Sequence, residues 1–165
     1  MADVSENKNT SYYIFMAPLI ALLFGFGILF VVNRFLLKDR WSLSLIGRIS
    51  LALMLMVTAT AHFTATDLMV ELMPEFLPLK RETVYFTGVI EFLAVAGLVI
   101  DKTSRATSIL LIIFFLAVLP ANIVGSLKQV NLGGMENGAA YLFFRVPLQL
   151  FFILWAYYFG VRINK

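Results

Sequence analysis

Residues 83–100, TVYFTGVIEFLAVAGLVI, form an apolar run of eighteen residues with one charge, Glu91, at its centre. As a helix the run rises about 27 Å, close to the hydrocarbon thickness of a bilayer, which places Glu91 near mid-membrane. An acid at that depth costs at least about 2.5 kcal/mol, so it is either protonated or met by a partner inside a bundle. The other apolar runs and their few polar residues decide which.

Composition agrees with that reading. Apolar residues make up 61% of the chain, charged residues only 14%, and the mean hydropathy is +0.89, values that describe a chain made mostly of membrane spans. The net charge of +3 would suggest nucleic acid in a soluble protein. Here the basic residues flank apolar runs, as orientation signals do, and no nucleic-acid partner is expected. There is no cysteine, which excludes disulfides, thiolate metal sites and a dithiol relay within this chain. No metal-ligand spacing is present either, so any redox chemistry belongs to a bound cofactor or a partner.

Working outward from Glu91, four more spans are predicted. Residues 11–32 form an added N-terminal helix (11–37 with its basic flank) behind a polar tail, 1–10, expected to be disordered. Ala17, Ala21 and Gly25 recur every four residues along it, a small-residue stripe that suits packing against the rest of the chain. Residues 49–66 form the second span, entered through Trp41 and Arg48 at the interface, with Thr58 and His62 four apart on one face. His62 is the sole histidine, a candidate proton carrier or, more simply, a hydrogen-bonded helix-end residue. Residues 67–82 are too charged to span and read as a short interfacial helix broken at Pro74 and Pro78. Residues 101–105 read as a polar turn leading into a fourth span, 106–127, with Pro120 and Asn122 inside it. The loop 128–138 has no pattern. The fifth span, 139–161, carries Arg145 and Gln149 four apart, with Trp155, Tyr157 and Tyr158 as an aromatic belt.

With five spans the termini lie on opposite sides. Lys8, Lys80, Arg81 and Lys128 fall on one side and eight of the thirteen basic residues on the other, Arg145 lying within a span. The positive-inside rule then puts the N-terminus outside and the C-terminus in the cytoplasm. His62, Glu91, Asn122 and Arg145 all come to the outer half. A shared depth points to one cavity or polar network built from Glu91, Arg145, Gln149, Asn122, His62 and Thr58, with Arg145 as the expected partner of Glu91. An ion pair that only fixes helix packing is the simpler version of the same arrangement.

From Gly47 to Tyr158 the chain resembles the DoxX-like integral membrane proteins. The resemblance rests on Ala61-His62-Phe63, Met73-Pro74 with Leu77-Pro78, Thr87-Gly88-Val89-Ile90-Glu91, Leu119-Pro120-Ala121-Asn122 and Arg145-Val146-Pro147-Leu148-Gln149 in that order. It implies an all-α membrane protein, an antiparallel four-helix bundle over residues 41–165, to which the N-terminal helix is an addition. It also implies a location in the bacterial cytoplasmic membrane. The functional expectation is an accessory subunit that binds a quinone or another lipid-like molecule and partners a membrane redox enzyme, since the family takes its name from a subunit of a thiosulfate:quinone oxidoreductase. Related four-helix membrane folds include sterol isomerases and assembly chaperones. They supply two alternatives: a lipid-modifying isomerase with Glu91 and His62 as catalytic proton carriers, and a non-enzymatic assembly protein or homo-oligomer. A cavity wide enough for a ring system favours ligand binding, and a solid core favours assembly.

Overall fold

The computed structural model describes residues 3–130 and 135–164, with side chains from residue 16 onward except that of residue 136. The chain is all-α: α1 (Asp3–Phe35), α2 (Leu43–Thr64), the short α3 (Thr66–Leu72), α4 (Lys80–Val99), α5 (Asp101–Leu127) and α6 (Ala139–Tyr157). A 3-10 turn, Met135–Asn137, precedes α6, and a π-helical turn, Tyr158–Arg162, follows it. Five of these helices are long and apolar enough to cross a membrane.

Local chemistry sets the helix limits, and several differ from those predicted. Between Asp3 and Pro18 there is no glycine or proline to stop a helix, so α1 takes in most of the segment expected to be a disordered tail; residues 1 and 2 lie outside the described residues. Ser42 caps α2 by accepting the Leu45 N–H at 3.1 Å, which starts that helix well before residue 49. The turn expected at residues 101–105 is only Ile100. Asp101 opens α5 directly, its carboxylate favoured at the helix N-terminus. Both internal prolines of the bundle, Pro120 and Pro147, lie within continuous helices.

Helices α2, α4, α5 and α6 form an antiparallel four-helix bundle. Its adjacent walls are α2 with α4, α4 with α5, and α5 with α6, while α1 packs on the outside of α2. The pairing of Thr58 with Glu91 and of Arg48 with Leu98 shows α2 and α4 running in opposite directions, and the pairing of Asn122 with Arg145 and of Phe115 with Gln149 shows the same for α5 and α6. The core is built on Leu51, Met54 and Leu55 of α2, Leu98 of α4, Leu111 of α5 and Phe152 of α6, with Leu22 of α1 against it. The outer surface is apolar instead: Phe24, Leu93, Leu110 and Phe143 are exposed.

Where the surroundings are as apolar as the core, helices associate through close packing more than through the hydrophobic effect, and small residues mark the seams. A Cβ on Gly88 of α4 would lie 2.7 Å from the His62 Cβ of α2. One on Gly160 would lie 1.9 Å from Ser108 Oγ, and one on Gly47 would lie 2.1 Å from the Phe159 ring. In α1, Gly25 lies against Ser50 and Leu53 of α2, so the small-residue stripe serves a seam within the chain.

At the end of the bundle rich in basic residues, two assignments change. Arg48 is not interfacial but 2% exposed. Its guanidinium donates to the Leu98 carbonyl at 3.1 Å and to Asp101 Oδ1 at 2.6 Å, so it holds the end of α4 and the start of α5 together. Trp155 is not in a surface belt. Its indole N–H donates to the Gly47 carbonyl at 3.0 Å and its ring meets Phe26, Phe151 and Phe159. Hydropathy could not distinguish these inward-facing residues from interfacial ones, because both flank apolar runs.

The Arg48 clamp is asymmetric. The Asp101 side chain is 82% exposed, whereas that of Arg48 is 3% exposed. Removing Asp101 leaves a buried cation with only a carbonyl, while Arg48→Met leaves a carboxylate that water solvates. Asp101→Ala should therefore cost about 1.5–3 kcal/mol and Arg48→Met less. Thermal unfolding in detergent checks the order of the two.

Candidate functional site

At the opposite end the bundle is not solid. A cavity of about 570 Å³ lies between α2, α4, α5 and α6, bordered at its end by α3 and Met135. Its lining is mostly apolar, and all six residues predicted as a polar network (Thr58, His62, Glu91, Asn122, Arg145 and Gln149) border it. The shared depth read from the sequence is thus a shared enclosure. α3 brings Leu68, Met69 and Leu72 to the cavity, and Leu72 also packs with Val130, Met135 and Tyr141 in a small second core. This anchors the loop that showed no pattern in the sequence; residues 131–134 lie outside the described residues.

The partners within the network differ from those expected. Glu91, 5% exposed, is met by α2 and not by Arg145. Thr58 Oγ1 donates to its Oε2 at 2.5 Å, and His62 Nε2 lies 3.4 Å from its Oε1. The reason is helix adjacency. Gly88 lets α2 and α4 approach closely, whereas α4 and α6 lie diagonally across the bundle. Gln149 does not reach Glu91 either, because its amide donates to the Phe115 carbonyl at 2.8 Å.

The other face of the imidazole is held by α4. His62 Nδ1 lies 3.0 Å from the Val84 carbonyl. The Thr87 hydroxyl stands 3.2 Å from the same nitrogen and holds the ring in place. This turns Nε2 toward the Glu91 carboxyl, so a base and an acid stand side by side in the cavity wall. Such an arrangement can give a proton to a molecule in the cavity or take one from it.

Arg145 stands apart from this pair. Its guanidinium donates to Asn122 Oδ1 at 3.1 Å and sits beside the Tyr141 hydroxyl, one turn back on the same helix. Its Nε is buried without a hydrogen-bond partner. Among the described residues no carboxylate forms an ion pair with it. A double-mutant cycle of Glu91→Leu and Arg145→Leu should accordingly be additive within about 0.5 kcal/mol. Coupling above about 1 kcal/mol, read from unfolding midpoints, would restore the direct pair.

Thr87, Val84, Gly88 and Tyr141 were not singled out as site residues. Thr87 and Glu91 are four apart and so share a face, a signal present in the sequence. The contributions of the Val84 and Phe115 carbonyls have no side-chain signature.

Neither the curated proteins nor the solved structures include a match to this chain. A family model does match, over residues 51–160, which takes in α3, α4, α5 and α6 whole, the last 14 of the 22 residues of α2 and the start of the π-helical turn, and so all six residues of the polar network. The chain belongs to the family described as Domain of unknown function (DUF8561).

Proposed function

We propose that this protein is an integral membrane protein that binds a lipid-like small molecule in the cavity, with the Glu91–His62 pair exchanging a proton with an oxygen of that molecule. One observation carries the reading: a mostly apolar cavity of about 570 Å³ whose polar groups converge on it and include a buried acid–base pair. That volume falls within the range of about 300–1,000 Å³ typical of small-molecule sites. The resemblance to DoxX-like proteins points to a quinone as the ligand and to an accessory role beside a membrane redox enzyme. The count of basic residues supports an N-terminus outside and a C-terminus in the cytoplasm.

A second reading, a lipid isomerase, draws support from the facing His62 and Glu91 side chains, because a double-bond shift needs a proton delivered and another removed. The assembly-protein reading called for a solid core, and the cavity weighs against it.

Mass spectrometry of lipids retained after purification in mild detergent tests the binding reading. One apolar lipid should be retained near stoichiometric amounts and lost when Ala121→Trp fills the cavity from α5. Identical lipid content in the two proteins would overturn it. Deuterium entering the carbon skeleton of the retained lipid in D₂O, in the wild type and not in Glu91→Gln, would favour the isomerase.

A further inference from the structure

Glu91 and Arg145 both border the cavity, but the carboxyl is engaged by Thr58 and His62 and does not meet the guanidinium. Among the described residues the acceptors of Arg145 are Asn122 Oδ1 and the neighbouring Tyr141 hydroxyl, neither of them a carboxylate, and its Nε is buried without a partner. A guanidinium at the wall of an apolar cavity within a membrane span is costly unless an anion meets it, and a planar fork of N–H donors suits an oxyanion.

Resting on the cavity-binding reading above, we infer that the ligand is an amphiphile with an anionic oxygen head, a carboxylate or its equivalent, held by Arg145 with its apolar body in the cavity. The Glu91–His62 pair is then left for a second, uncharged oxygen or for an unsaturated carbon further along the molecule.

The test uses the full-length wild-type protein, delipidated in an uncharged detergent. Dissociation constants are measured by thermal shift for four probes sharing one eighteen-carbon monounsaturated chain: the carboxylic acid, the primary alcohol, the methyl ester and the alkyl phosphate. The acid should bind at least about tenfold tighter than the alcohol or the ester, which corresponds to about 1.4 kcal/mol. A phosphate that binds as well as the acid or better identifies a phosphate head as the preferred oxyanion; one that binds only as weakly as the alcohol identifies a carboxylate. Arg145→Gln should bring the acid to within threefold of the alcohol, and Arg145→Lys should restore part of the preference. Equal binding of acid, alcohol and ester to the wild type would overturn the anionic head and leave the cavity reading standing. A preference that survives in Arg145→Gln would overturn the role of Arg145. No binding of any probe would overturn both readings together.

Discussion

Replacing Glu91 with alanine should cost about 3–5 kcal/mol of stability, because it removes the carboxyl that meets both Thr58 and His62. The Thr58 hydroxyl would fall back on the Leu55 carbonyl, 3.2 Å away, and His62 Nε2 would be left facing an apolar cavity. His62→Ala should cost less, since its side chain is 16% exposed against 7% for Glu91, and since Glu91 keeps the bond from Thr58. The decisive quantity is coupling. Two polar residues in direct contact should show an interaction energy of about 1–3 kcal/mol in a double-mutant cycle of the two alanine changes. Additive losses would mean that the contact does not couple them. Glu91→Gln separates shape from charge: it keeps the contact with Thr58 and removes the acid, so it should retain more stability than Glu91→Ala while abolishing proton exchange.

Gly88→Leu should have an effect as large by a different route. The position faces α2 so closely that the first added carbon would already lie 2.7 Å from the His62 Cβ and 2.9 Å from the Phe63 ring. Three further heavy atoms cannot be absorbed there without moving a helix, so the cost should be about 3 kcal/mol or more, at the upper end for overpacking. The same displacement takes His62 away from the Val84 carbonyl and Thr58 away from Glu91. Gly88→Leu should therefore lose the Glu91–His62 coupling as well as stability. A matched change at Gly27, where an added Cβ meets nothing within 4 Å, should be nearly silent. If thermal unfolding in detergent ranks the two alike, the α2–α4 seam is not where the bundle is tightest.

Much of the fold was legible in the chain because the deciding quantities are local. A helix long and apolar enough to cross a membrane announces itself by length and hydropathy, and all five did so. The depth of each polar residue followed from counting along its span, which is why Glu91, His62, Asn122 and Arg145 could be placed at one level before any coordinates. Ends of helices were less legible. Capping by Ser42 and the single-residue turn at Ile100 are backbone arrangements that hydropathy does not register. Arg48 and Trp155 showed the same weakness in another form, since a residue at a span's end reads alike whether it turns outward to the headgroups or inward to hold two helices.

What the sequence determined by itself was the class of the protein, the number of its spans and the depth at which its charges lie, all set by the energy of placing each residue in or out of an apolar medium. What only the tertiary structure decided was who meets whom at that depth. Partner choice depends on which helices are neighbours and how each is rotated about its axis, and those are set by a few seam glycines acting over long sequence separations. Gly88 brought α2 against α4 and so gave Glu91 to Thr58 and His62, leaving Arg145, on the diagonal helix, bordering the cavity with no carboxylate paired to it among the described residues.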